Sequence, residues 1–449
     1  MTPVPEGWRL RLDSRTCELH NGHTLLSPTG RMLTLGAQGP RAVADLLQGK
    51  GSQAARVLGR TLLDAGAAHP LPEPHDVEDV TVVIPVKDRP QELSRCLAAL
   101  TGLDVLVVDD GSDDAAAVRR LCREHGAAYV HRANGGPAAA RNSALPLLRK
   151  EFVAFLDSDC VPTTGWLERL RGHLQDPAVG AAAPRVVAGR RSPLDLGSRA
   201  ALVVPGGGVS YVPTAAVLFR VAALTSFDEK LRYGEDVDLV WRTVDAGWQV
   251  RYDPTVLVHH HEPDRASQRL LRHFRYGTSA APLSARHPGR LAHLVVSPWP
   301  TAVVALALAR RPTLAAAIAA ASTARVNRQL HAPGASGALV ARAVTGTGLG
   351  LGRALALTGP AGWIVAARHR RLAPLLVAPY LVEWAQRGAE RDPLRYTLGA
   401  LLDQAAYGAG VVAGCVTQRT AEPLLPRVLW SRKNSSDRRQ EKGPVRRNS

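Results

Sequence analysis

Two aspartates separated by Ser158 close the apolar run FVAFL: Asp157 and Asp159. Carboxylates at the end of a buried strand repel one another and cost desolvation energy unless a cation lies between them. Hard divalent ions such as Mg2+ or Mn2+ take one or two carboxylates plus substrate phosphate oxygens, so the pair points to metal-assisted chemistry on a diphosphate. An exposed loop with two ordinary aspartates is the plain alternative. A second cluster, Asp109-Asp110-Gly111-Ser112, stops the run VLVV in a tight polar turn. It is either a capped turn or a carboxylate contact to a nucleobase or ribose. The third, Glu235, Asp236 and Asp238, opens a helix that ends near Gly247. Acids there cap helices and favour the dipole, but a carboxylate beside a site can also take the proton of an attacking hydroxyl. His259, His260 and His261 follow the strand-like RYDPTVLV. Alternate strand residues point to opposite faces, so His259 and His261 are expected on one side and His260 on the other.

These groups need a scaffold that brings them together. TVVIPV, a helix around 92–100, DVLVVDD, a helix around 115–125 and FVAFLDSD alternate in the order of a parallel sheet with helices on both faces. Such sheets bind ligands outside the carboxyl ends of their strands. Those ends carry Lys87, Asp88, Arg89, Asp109, Asp110, Asp157 and Asp159, so acidic groups converge on one rim, with Pro85 a further donor-side candidate. The segment NGGPAAARN places Asn134, Gly135 and Gly136 before a helix that holds Arg141 and Asn142. Small residues at a helix start let backbone approach a nucleotide, and Arg141 reads as a phosphate or base contact; turn geometry alone is the alternative.

At 449 residues the chain is too long for one ordinary core, and 45% apolar with 21% charged residues is the balance of a folded protein. The formal charge of +17 comes from Lys and Arg scattered along the chain, and aromatics amount to only 5%, so no base-stacking platform supports a nucleic-acid partner. Five separated cysteines with no Cys-x-x-Cys pair indicate neither a disulfide framework nor a zinc knuckle. A reducing cytoplasm is the expected location, and MTPVPEGWRLRLD lacks a signal-peptide core. A Pro- and acid-rich stretch at 70–79 reads as a linker behind a small module (1–78) with helices at 41–47 and 54–65.

Together VTVVIPVKDR, VLVVDDGS, NGGPAAARN, FVAFLDSD, FDEKLRYGEDVDLVWR and the histidines resemble, in order and spacing, the family 2 glycosyltransferases of the GT-A nucleotide-binding fold. The resemblance implies an inverting transferase that uses a UDP-sugar donor and Mg2+ or Mn2+. It implies Asp236 as base with Glu235 in support, and Asp109 as nucleobase contact. Asp157 becomes a ribose or metal contact, Asp159 the metal ligand, and His259 or His260 the completion of the metal shell. Two departures stand out: Lys87 replaces a common uracil-stacking aromatic, and RHFRY at 272–276 stands where processive synthases carry Gln-x-x-Arg-Trp. PGGGVSYVPTAAVLF and HHHEP are most similar to the mycofactocin-system branch of the family, which implies a glucose donor and a peptide-derived redox cofactor precursor as acceptor. A transferase acting on an envelope polysaccharide or glycolipid is the alternative, and a non-catalytic sugar-nucleotide or peptide-binding module is the alternative of another class. The leading module resembles small PqqD-like peptide-recognition domains, here taken as winged-helix-like; a structural cap on the sheet is the other reading.

The expected fold is thus α/β, with the GT-A domain at 79–290 and an apolar helical region at 291–420. Apolar stretches at 294–309, 313–324, 354–367 and 398–416 are interrupted or bounded by charges and read as core or interfacial helices rather than clean spans. The region is expected to pack on the catalytic domain and to touch the cytoplasmic face of the membrane. TGTGLGLG at 345–352 lacks a preceding strand and reads as close helix packing through Gly348 and Gly352, not a dinucleotide loop. The basic segment 421–449 is expected to be a disordered tail.

Overall fold

The computed structural model describes residues 2–188, 192–261, 265–387 and 392–429; most of the expected basic tail lies outside them. The chain divides into two compact units, Met1–Arg265 and Ala266–Ser449.

The first unit begins with a small module. It contains β1 (Arg9–Leu12), β2 (Cys17–Leu19), β3 (Thr24–Leu26), β4 (Met32–Thr34), α1 (Gly39–Leu47), α2 (Gln53–Asp64) and β5 (Ala68–Leu71). Strands β2 to β4 form an antiparallel meander, and β1 pairs with β5. Both expected helices are present, and Ser52 caps α2 by accepting from the Ala55 N–H. The strands were not anticipated, because runs of three or four residues are too short to show a period of two. Their presence makes the module a mixed strand-and-helix unit rather than a helix-led winged helix.

The sheet of the catalytic portion follows. Its elements are β6 (Val80–Val86), α3 (Pro90–Ala98), β7 (Asp104–Asp109), α4 (Ala115–Glu124), β8 (Ala128–His131), α5 (Pro137–Ala144), β9 (Phe152–Leu156), β10 (Cys160–Pro162), α6 (Trp166–His173), β11 (Val179–Val187), β12 (Ala201–Leu202), β13 (Ala216–Arg220), α7 (Glu235–Asp245) and β14 (Gln249–His260). The order is β10-β14-β11-β13-β9-β6-β7-β8, with β12 on β14. Strands β9, β6, β7 and β8 are parallel, as the alternation of strand and helix predicts. β13 runs antiparallel to both β9 and β11, which makes the sheet mixed. Val82, Ile84, Val107 and Ala154 on one face and Val83, Val108, Val153 and Phe155 on the other are fully buried, so both faces of the sheet centre are covered.

A buried polar network fastens the leading module to this sheet. Arg60 donates to Asp176 at 2.6 Å with both side chains nearly inaccessible, and Gln249 joins them by accepting from Arg60 at 3.4 Å and Arg251 at 2.6 Å and donating to Asp64 at 2.7 Å. Removing one member of a buried pair strands the other charge. Asp176→Ala is therefore expected to lower unfolding stability by about 3–5 kcal/mol in a urea titration.

The second unit is helical: α8 (Ala266–Thr278), α9 (Ala280–Arg286), β15 (Val295–Val296), α10 (Pro298–Leu308), α11 (Pro312–Leu330), α12 (Pro333–Leu357), α13 (Pro360–Arg368), α14 (Ala373–Arg387), α15 (Pro393–Gln418) and β16 (Arg427–Val428). Close backbone approach explains its glycines. A Cβ on Gly352 would lie 1.9 Å from the Leu375 carbonyl oxygen, so TGTGLGLG is a helix-packing segment of α12 against α14. By length and composition alone α15 could cross a membrane. Asp403, expected to interrupt it, is instead buried and paired with Arg269 at 3.0 Å.

Candidate active site

The loops after β6, β7, β8 and β9 meet on one rim, and the site is assembled from them. Pro85 and Val86, the last two residues of β6, are buried, and Lys87 after them is exposed. Asp88, at φ 53°, accepts from the Asp113 N–H at 2.7 Å, while its own N–H donates to Ser112 Oγ at 3.0 Å. The first two loops are thereby tied together.

Asp109 ends β7 with no exposed surface. Its oxygens accept from the Ser112 N–H (2.9 Å), the Tyr129 hydroxyl (2.8 Å) and His131 Nδ1 (3.2 Å). Burial pushes its carboxyl up, but the bonds from Ser112, Tyr129 and His131 outweigh this and hold it below its ordinary value. Asp109 thus braces the turn through these three bonds. Asp110 is equally committed, accepting from Arg132, the Gly135 N–H (3.0 Å) and the Gly136 N–H (2.7 Å). It fixes the start of α5. Gly111 has φ 76°, and a Cβ there would lie 2.8 Å from the Asn134 backbone nitrogen, so only glycine lets the two loops close. Asn134 and Gly135 remain exposed on the rim.

Arg141 is 3% exposed. Its guanidinium forks between Asp157 Oδ1 at 2.6 Å and Glu235 Oε1 at 3.2 Å, so it joins two clusters far apart in sequence instead of pointing at open solvent. The next residue, Asn142, accepts from the Phe227 N–H at 2.8 Å and donates to the Phe227 carbonyl at 2.9 Å and Glu229 at 2.8 Å. Helix α5 is therefore a strut between the loop after β9 and the segment leading into α7.

Gly234, at φ 82°, turns the chain into α7 and sets Glu235 and Asp236 in its first turn. Burial raises the Glu235 carboxyl, with Arg141 opposing. Asp236 is pushed up to about 7 by burial and then by the neighbouring Glu235 charge. Asp238 is different: buried, it pairs with Arg242 at 2.8 Å, which also donates to the Ser226 carbonyl at 2.8 Å. That pair holds the preceding loop.

Across the rim, Asp159 bonds Arg89 and lies 3.3 Å from His260 Nε2. Burial raises its carboxyl, but His260 and Arg89 outweigh this and keep it below its ordinary value. His260 pairs with Cys160 across β14 and β10, while His259 is exposed opposite Val161. Asp159, Cys160 and His260 are the metal-capable group among the described residues. Burial and the charges of Asp157 and Asp159 drive the Cys160 thiol well up, so it stays protonated and the donors that suit Mg2+ or Mn2+ are the Asp159 carboxylate and the His260 imidazole. The structure thus brings together Asp159 with His260, and Asp157 with Arg141 and Glu235. Asp157 and His259 are not part of the metal-capable group. Arg89, Arg132 and Asn142 were not assigned roles by spacing, because each acts through a partner 22 or more residues away.

Residues 81–202 match the glycosyl transferase family 2 profile. Relatives from two strains of Mycobacterium tuberculosis, each named pre-mycofactocin glycosyltransferase, are 37% identical over 471 aligned positions, covering 95% of this chain and 99% of theirs. The chain belongs to the family 2 glycosyltransferases. It is accordingly a glycosyltransferase with an α/β fold of the GT-A type and a helical C-terminal region. A glycosyltransferase of Haloferax volcanii, AglE, is 35% identical over 103 residues, 20% of this chain and 33% of that protein. Among solved structures, glucosyl-3-phosphoglycerate synthase from Mycobacterium tuberculosis, in complex with Mn2+, uridine diphosphate and glucosyl-3-phosphoglycerate, is similar at 18% identity and a TM-score of 0.37, covering 46% of this chain and 79% of that one.

Proposed function

We propose that this glycosyltransferase moves a hexose, glucose in the first instance, from a UDP-sugar to a hydroxyl of a peptide-derived mycofactocin precursor, with inversion at the anomeric carbon. The observation that carries the chemistry is Asp236: a carboxyl at the first turn of α7, raised to about 7 and joined through Glu235 and Arg141 to Asp157 on the donor rim. A base is most effective when its pKa lies near the working pH. The acceptor assignment is supported by 37% identity over nearly the whole length of relatives named for that pathway.

In the proposed step the acceptor oxygen attacks the anomeric carbon, its proton passes to Asp236, and the bond from that carbon to the diphosphate oxygen breaks. Asp159 and His260 would hold Mg2+ or Mn2+, and a bound divalent ion supplies positive charge to the departing diphosphate. Arg89, half exposed, can leave Asp159 when that charge arrives. Pro85, Lys87, Asn134 and Gly135 complete the nucleotide side, with Lys87 offering a cation instead of an aromatic face.

The direct test is UDP release from UDP-glucose with Mn2+ or Mg2+ and a mycofactocin precursor. Acceptor-dependent release is expected, together with loss of metal-dependent donor binding in Asp159→Ala. Release that ignores the precursor would reject the acceptor, and no release from any UDP-sugar would reject the reaction.

A further inference from the structure

The net charge of +17 is not shared between the two units. Residues 1–265 carry 30 Lys and Arg against 32 Asp and Glu, whereas 266–449 carry 26 against 7. The catalytic unit is nearly neutral and the helical unit holds the whole excess. Exposed apolar side chains follow the same division: of the 21 large ones among the described residues, 16 lie beyond residue 266.

They concentrate on an ordered surface. Along α15, Leu394 (64% exposed), Leu398 (53%), Leu402 (46%), Val412 (49%) and Val416 (73%) recur at helical spacing, and the exposed Ala409 continues the row. The opposite face, with Tyr396, Ala400, Asp403, Val411 and Gly414, is buried in the bundle. A water-facing helix carries polar residues on its outer side; α15 carries apolar ones there as well. The charge inside its length, Asp403, faces inward and is paired with Arg269. Arginines stand at helix ends: Arg368 at the end of α13 with His369, Arg370 and Arg371 after it, Arg387 at the end of α14, and Arg395 and Arg419 near the two ends of α15, all exposed.

We infer that the outer face of the helical unit docks on an anionic lipid membrane, with the α15 row in the acyl boundary and the arginines among acidic headgroups. Apolar area and basic charge attract such a surface together, and arginine stems extend past apolar residues to keep their charge in the headgroup layer. A second copy of the chain is the competing occupant. Its equally cationic surface would repel like charge across the contact.

The experiment is flotation of the full-length protein with vesicles of one part phosphatidylglycerol to three parts phosphatidylcholine, and with phosphatidylcholine alone. The expected result is about a tenfold greater bound fraction on the anionic vesicles, falling as salt is raised. Leu398→Asp/Val412→Asp/Val416→Asp alters exposed positions only, so its circular dichroism and melting temperature should match the wild type while flotation is lost. No recruitment of the wild type, or equal flotation of this variant, would overturn the inference. So would sedimentation that shows a wild-type dimer dissociated by the same substitutions.

Discussion

Asp236→Asn should bind the UDP-sugar as the wild type does and turn over about 10²–10⁴-fold more slowly. Asparagine keeps the size and the hydrogen bond that Asp236 Oδ1 accepts from the Val237 N–H at 2.8 Å, so the first turn of α7 has no reason to move. What it loses is the capacity to take a proton. The sign of the pH dependence follows from the raised carboxyl. Only the ionised form acts as base, so wild-type kcat/KM should rise with pH through an ascending limb centred near 7, below which each pH unit costs about tenfold. The residual rate of the asparagine variant should lack that limb. Calorimetry of UDP binding alongside steady-state rates from pH 5 to 9 checks both halves. Near-normal turnover in the variant, or a wild-type profile flat through 7, would place the base elsewhere.

That assignment shows how far residue types and spacing reach. β6, β7 and β9 were legible because each is an apolar run ended by polar groups, and a parallel arrangement has few other ways to bury such runs. The acid clusters were legible for the same reason: their position at strand ends is a local fact. Partnership is not local. Asp109 reads either as a turn brace or as a ligand contact, and its bonds to Tyr129 and His131, brought alongside by β8, are visible only in the fold. The histidine tract shows both sides of this. A period of two separates His260 from its neighbours, but only the register with β10 selects His260 as the companion of Asp159. The insertion of antiparallel β13 between β11 and β9 is likewise set by pairing across distant segments, which no window of sequence contains. On α15, Asp403 reads as an interruption until Arg269 is seen beside it.

Arg141 gives the second large effect, and it separates a positioning role from a merely structural one. Its fork holds Asp157 and Glu235 at once, and its charge opposes the rise of both Glu235 and Asp236. Arg141→Met removes that charge and leaves neighbouring carboxylates to repel one another. Both acids on α7 then hold their protons more tightly, so the ascending limb should move to higher pH. Each unit of that movement lowers the rate at pH 7 by about tenfold. Loss of alignment adds to this, and a total fall of about 10²-fold or more is expected at neutral pH, partly recovered at pH 9. Arg141→Lys restores the charge but not the two-pronged reach. Its limb should return toward 7 while kcat stays depressed. Were Arg141 only a packing element, methionine, which can fill the space beside Phe227, would reduce the yield of folded enzyme and leave the limb of the surviving enzyme where it was. The pH profiles of the two variants, read beside their melting temperatures, distinguish these outcomes, because stability acts on how much enzyme is present and the fork acts on when Asp236 is ionised.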